Sequence, residues 1–263
     1  MESNKKTVLL EKRDQIAYIT LNRPEKLNVL GLTEYQLLEE YVNDCDRDDN
    51  IRVIIFTGKG KAFSAADDMH WWSQFKPIDG VTITYPSGLN ITQRINLTLM
   101  NSGKVSIAAV NGLCWLVGLV FSCDFVIAAD VATFTDGDVP NGICPGSTET
   151  VSLTRLLGRR RALEVILTAD TITAQEAYRI GLANKVVPLD RLMAEAEALA
   201  MKIIAHPPYA VHMAKMSIRR AQDLPLAEAV EAESFYSAMS VQFDPMARTA
   251  QSFLEKRKKA KGK

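Results

Sequence analysis

The chain has 263 residues, 47% of them hydrophobic, and its 31 lysines and arginines balance its 31 aspartates and glutamates. That is apolar material for one large core, or one core with an appendage. Zero net charge gives no general pull toward nucleic acid or an acidic membrane. Cys45, Cys114, Cys123 and Cys144 form no CxxC pair and no Cys/His metal spacing, which predicts free thiols, no metal and a reducing cytoplasm. The opening run MESNKKTVLLEKRD is charged without a sustained apolar core, unlike a signal peptide, and no apolar run reaches spanning length.

Thr7 to Leu10 and Ile16 to Leu21 read as two strands of a hairpin, followed by a polar, proline-broken loop from Asn22 to Asn28. Thr33 is a candidate cap for a helix carrying Leu37, Leu38, Tyr41, Val42 and Cys45 on one face, and Asp44 to Asn50 reads as a solvated turn. Arg52 to Thr57 is a buried strand broken by Gly58-Lys59-Gly60-Lys61. That spacing fails both GxxxxGK[ST] and GxGxxG, so it predicts a plain turn. The run from Ala62 to Met69 is rich in small residues that let a ligand approach the backbone closely. Ser73 to Asn90 reads as a loop or lid, and Ile91 to Met100 as a helix.

Val105 to Gly146 concentrates the chemistry. A strand, Ser106 to Val110, ends at Asn111-Gly112; an oily helix runs from Leu113 to Phe121; a second strand, Phe125 to Ala129, leads into a loop bearing Asp130, Asp136 and Asp138. A helix entered directly from a strand offers unpaired N–H groups to an oxyanion, and a carboxylate on the next loop can move protons beside it. Beyond Gly146 the pattern is helical: Thr150 to Leu157, Arg159 to Leu167, a helix with a Thr173/Glu176 capping box stopped at Gly181, a short strand at Val186 to Leu189, then Leu192 to Ile204, Pro208 to Ala221, Leu226 to Ser240 and Pro245 to Glu255.

Ordered motifs along nearly the whole chain resemble the crotonase, or enoyl-CoA hydratase/isomerase, superfamily. They are LNRPEKLN (21–28), GKAFSAADD (60–68), AVNG (109–112), CDFVIAAD (123–130), NGICPG (141–146), LTADTITAQEAYRIGLANKVVP (167–188) and SFLEKRK near the C-terminus. The resemblance implies an α/β fold: a spiral of ββα units with two roughly perpendicular sheets over residues 1–200, then a helical trimerisation region over 201–263, assembling as a homotrimer or dimer of trimers. It implies an acyl-CoA substrate whose thioester enolate is stabilised in an oxyanion hole, coenzyme A entering as part of the substrate and no cofactor bound permanently. By motif position the oxyanion donors fall on Asp67 and Val117. Lys26, Ala65, Asp67, Asp68 and Met69 fall along the coenzyme, joined by Phe253 and Lys256.

Of the two glutamates that hydratases of the family use, the first falls on Val120, which carries no proton, and the second on Asp138. A single carboxylate fits an isomerase or an atypical hydratase. Asp138 reads as general acid or base, with a turn-capping carboxylate as the alternative, and Asp136 reads as a turn or cap residue. Asp68 reads as a loop-fixing residue and Asp67 as a possible second carboxylate in the pocket. Glu149 reads as a cap at a helix start, Trp115 and Leu116 as core, and His70 with Trp71 and Trp72 as a cover or an acyl-pocket lining. Two other readings stand beside this one. The wording from Ala132 to Gly146 resembles a β-diketone C–C hydrolase branch that needs no coenzyme A, although its histidine would fall on Asp138 and its aspartate near Ser147. A non-catalytic protein of the same fold is the other, suggested by Ala66, Leu116 and Val120 together.

Overall fold

The computed structural model describes residues 6–73 and 90–243. The expected helix at 245–255, Phe253, Lys256 and almost all of the expected loop at 73–90 lie outside the described residues.

Strands β1 (Val8–Arg13) and β2 (Ile16–Leu21) form the expected hairpin, antiparallel with Arg13 opposite Ile16. The polar run at 11–15 is mostly strand, because β1 is an edge strand and tolerates outward charge. Only Asp14 and Gln15 make the turn, at φ of 51° and 66°, the two-residue geometry that follows strand twist. Helix α1 (Leu32–Arg47) is capped at Gly31, not Thr33: the Glu34 carboxylate accepts the Gly31 N–H at 2.8 Å. It buries Tyr35, Leu38, Val42 and Cys45, the i, i+3, i+4 stripe of a core-facing helix, and continues through the expected turn at 44–47.

The spiral then follows. Strand β3 (Val53–Gly58) turns into β4 (Ala62–Ser64), then α2 (Met69–Ser73) and α3 (Ile91–Asn101). Strand β5 (Val105–Val110) turns into β6 (Leu113–Cys114), then α4 (Val117–Ser122). Strand β7 (Phe125–Ala129) turns into β8 (Thr133–Phe134), then the acidic loop, α5 (Glu149–Leu157) and α6 (Arg159–Thr168). Strand β9 (Ile172–Thr173), α7 (Ala174–Arg179), β10 (Lys185–Val187) and α8 (Leu192–Ile204) complete the sheets and their cover. The oily segment 113–121 is thus not one helix. Leu113 and Cys114 pair in parallel with β4 and β8, so α4 begins only at Val117.

One sheet has the order β1-β2-β3-β5-β7-β10, parallel apart from β1; the other has β4-β6-β8-β9, parallel apart from β9. Three successive passes go from the first sheet to the second, so the corners between them stack. Two asparagines of the shared motifs bind these corners. Asn28 Nδ2 donates to the carbonyls of Lys59 (3.1 Å) and Ala62 (2.8 Å), and Asn111 Nδ2 donates to those of Gly60 (2.8 Å) and Ala62 (3.1 Å). Gly58-Lys59-Gly60-Lys61 is therefore a structural corner with its Lys59 and Gly60 carbonyls committed to side chains.

The chain divides into two compact units, Met1–Met201 and Lys202–Lys263. In the second, α9 (Pro208–Ala221) and α10 (Leu226–Phe243) pack on each other, and α9 opens with its proline in the first turn as expected. No described helix is long and apolar enough to cross a membrane.

Candidate active site

The segment after β4 runs beside residues 27–30: Ala65 N–H donates to the Leu27 carbonyl (2.9 Å), Leu30 N–H to Ala66 (2.8 Å) and Asp68 N–H to Leu30 (2.8 Å). Ser64 Oγ donates to the Asn28 carbonyl (2.8 Å) and accepts the Ala66 N–H (3.0 Å), fixing the bend. Ala66 sits at φ +60°, a left-handed conformation that costs a residue with a Cβ. Ala66→Gly is therefore expected to raise stability by about 0.5–1 kcal/mol, the strain relieved being larger than the unfolded-chain entropy added. Urea titration checks this; an equal or lower midpoint would mean that the bend carries no strain.

Past that bend, Asp68 is a loop-fixing residue. One oxygen accepts the His70 N–H at 3.0 Å and the other meets Arg23 at 3.3 Å; although burial works the other way, these partners hold its carboxyl below the usual range. Asp67 Oδ1 accepts the Tyr35 hydroxyl at 2.5 Å. Tyr35 is 4% exposed, and burial together with the negative field of Asp67, Glu149 and Asp138 pushes its phenol well above its ordinary value, so it remains a donor. Trp71 packs near it, ring centroids 6.3 Å apart, and His70 is exposed.

Val117 opens α4, so its N–H is one of the donors that a helix start leaves without an intrahelical acceptor. Leu116 is buried, as expected. Trp115 is 42% exposed and is not core; it lies against Gly137 in the acidic loop and walls one side of it. The next residue, Gly118, is a notch. A Cβ there would lie 2.3 Å from the Ser147 carbonyl and 2.5 Å from Glu149 Oε1.

In the acidic loop Asp136 Oδ1 accepts the Asp138 N–H at 3.1 Å, the turn role expected of it, while its buried Oδ2 has no partner among the described residues. Burial raises the Asp136 carboxyl. Asp138 is half-buried, and burial, then Asp136, then Asp67, push its carboxyl up to about 6. Glu149 is 7% exposed; its Oε2 accepts the Ser147 N–H at 2.7 Å, and burial pushes its carboxyl up to about 7. A cavity of about 10 Å³, room for roughly one water, lies between Tyr35 and Leu38 of α1, Ile95 and Asn96 of α3, and Leu116 and Ser147.

The structure thus brings Asp67 and Asp138 into one field, with Glu149 against Gly118, the second residue of α4. Lys26 is exposed in the short turn at Pro24–Lys26, and Met69 is 67% exposed at the start of α2. Val120 is fully buried. Sequence reasoning missed Tyr35, whose signal was its place three residues before Leu38 on the buried stripe. It also missed the depth of Glu149.

The same α/β architecture occurs in solved acyl-CoA enzymes. The enoyl-CoA hydratase of Bacillus anthracis matches with a TM-score of 0.87 at 29% identity, over 95% of this chain and 97% of its own. A monofunctional enoyl-CoA isomerase from M. smegmatis matches with a TM-score of 0.71 at 28% identity, over 86% and 98%. By sequence, the short-chain-enoyl-CoA hydratase of Clostridium acetobutylicum is 37% identical over 98% of this chain and 97% of its own. The family model for enoyl-CoA hydratase/isomerase matches residues 11–262. The chain belongs to the enoyl-CoA hydratase/isomerase family, and it is an enzyme of that type.

Proposed function

We propose that this enzyme adds water to the double bond of a short 2-enoyl-CoA thioester. The N–H groups of Asp67 and Val117 hold the thioester oxygen as charge develops on it, and Asp138 moves the proton. The observation that carries the reading is Asp138: a half-buried carboxyl pushed up to about 6, in the field of Asp67 on the oxyanion loop. A group that titrates near the working pH both accepts and returns a proton, as the reaction requires. The C. acetobutylicum relative is named as a short-chain-enoyl-CoA hydratase, which supports the short acyl group. Lys26, Ala65, Asp68 and Met69 would run along the coenzyme, with Phe253 and Lys256 contributing from the C-terminal end. Coenzyme A enters and leaves with the substrate.

The exposed apolar side chains of α9 and α10, among them Ile218 (69%), Leu226 (82%) and Phe235 (61%), support assembly through the C-terminal helices, which we assign to a trimer or dimer of trimers. The thiols of Cys45 and Cys114, buried and unlinked, suit a reducing cytoplasm.

Calorimetric titration with acetoacetyl-CoA, a stable mimic of an enolised thioester, against free coenzyme A tests the binding half. Crotonyl-CoA hydration, followed by loss of the enoyl absorbance, tests the chemistry. The expected result is micromolar affinity, tighter than for coenzyme A alone, together with turnover. No heat at millimolar ligand from folded protein would overturn the reading.

A further inference from the structure

Glu149 is out of place for a helix cap. A capping carboxylate on a helix start is ordinarily solvated, whereas this one is 7% exposed and packed on a backbone that has been cleared for it. The clearing is Gly118: any side chain there would run into Glu149 Oε1 at 2.5 Å and the Ser147 carbonyl at 2.3 Å. Two helices are thus fitted to each other through one carboxyl group and one missing side chain.

The turn that carries Glu149 is held from three directions. Asn96 of α3 donates to the Ser147 carbonyl (2.7 Å), Thr92 donates to Ser147 Oγ (2.8 Å), and Ser122 of α4 meets Thr148 Oγ1 (2.8 Å). All of these are neutral. The titratable groups that Glu149 feels are Asp136 and Asp138 of the acidic loop and the Tyr35 phenol of α1. Burial and two neighbouring carboxylates both favour its protonated form, and a lone buried acid with such neighbours holds its proton into the neutral range.

We propose that Glu149 is the second proton-carrying group of the site, delivering a proton to the substrate carbon next to the thioester carbonyl while Asp138 serves the far carbon of the double bond. The inference rests on the acyl-CoA reading above. Its geometric basis is adjacency: Gly118, against which the carboxyl lies, follows Val117, the proposed donor to the thioester oxygen, so the carboxyl sits one residue from the proposed oxyanion site. The step balances with no further reactant. The water oxygen bonds to the far carbon, one water proton passes to the Asp138 carboxylate, and the double-bond electrons form the enolate. The enolate pair then takes the Glu149 proton at the near carbon, leaving Glu149 ionised, and Asp138 returns its proton to Glu149 through solvent. The residue opposite on α4 brings no acid of its own, because position 118 is glycine and Val120 points into the core.

Such a pair requires Asp138 ionised and Glu149 protonated at once, so kcat should rise through about pH 6 and fall through about pH 7. Glu149→Gln keeps the shape and the acceptor for the Ser147 N–H but carries no transferable proton. Its kcat on crotonyl-CoA is expected to fall about a hundredfold, with KM within about threefold of wild type and the alkaline limb gone. A purely structural Glu149 would leave kcat near wild type and the alkaline limb in place, which would overturn the inference while the hydratase reading stands. If the variant does not fold, the wild-type profile decides alone: no alkaline limb in kcat between pH 6 and 9 overturns it. Wild-type protein that turns over no thioester would instead overturn the underlying reading, and this inference with it.

Discussion

Asp138→Asn should lower kcat on crotonyl-CoA about a thousandfold and leave acetoacetyl-CoA bound as tightly as before, or more tightly. The amide is isosteric, so the wall beside Trp115 and Gly137 and the N–H contact to Asp136 are kept; only the proton and the charge go. The binding effect follows from the local field. Asp67, Asp136, Asp138 and Glu149 are all acidic, and an enolised ligand adds negative charge among them, so removing one carboxylate lowers the repulsion it meets. The acid limb of the rate profile near pH 6 should disappear with the residue that causes it. Stability supplies an independent check. The folded state holds the Asp138 carboxyl above its ordinary value, so folding favours the protonated form; that contribution is present at low pH and is lost as pH rises from about 4 through about 6. The Asn variant should therefore gain in urea midpoint over wild type at pH 8 and lose that advantage at pH 4. A variant that keeps its turnover would show that Asp138 is a loop residue and the proton moves elsewhere.

Much of this site was legible because its parts are local. The bend at 64–68, the Asp68 contact to a nearby N–H and the Asp136 turn onto Asp138 each span only a few residues, and short-range chemistry reads directly from residue type. The long strands were legible for the same reason: Ile16–Leu21 and Phe125–Ala129 carry their apolar pattern within themselves. The second sheet was not. Strands β4, β6, β8 and β9 have two or three residues each, too few for any period, and they exist because the corners of the first sheet bring them side by side. Glu149 shows the limit most clearly. The carboxylate sits at the helix start as expected and accepts the Ser147 N–H just before α5, yet its burial depends on a glycine 31 positions earlier on another helix. Counting along the motif put the proton-carrying position of α4 at Val120, whereas packing makes Gly118 the residue that faces the acid.

Gly112→Ala should be a severely damaging single methyl in the core, costing about 3 kcal/mol or more. The added Cβ would lie 2.1 Å from the Lys61 carbonyl oxygen and 2.9 Å from its carbon, and backbone atoms cannot rotate away as a side chain would. Nor can that corner slide. Asn111, the preceding residue, is bonded to the Gly60 and Ala62 carbonyls on either side of Lys61, and Asn28 holds Lys59 and Ala62 from the opposite direction. Relief would have to come from parting β5 and β6 from the β3-to-β4 corner, which displaces β4 and with it the bend that carries Asp67. Gly142→Ala is the matched comparison: the backbone there is left-handed at φ +75° and ψ 19° but nothing lies within 4 Å of the new Cβ, so only the conformational cost of about 1 kcal/mol applies. Urea titration of the pair separates the two effects. If Gly112→Ala lost no more than Gly142→Ala, the corners would be compliant. If it loses more, and the folded fraction also binds acetoacetyl-CoA weakly, then the stacking of corners is what sets the oxyanion loop against α4, and the catalytic geometry is inherited from the same contact that closes the two sheets.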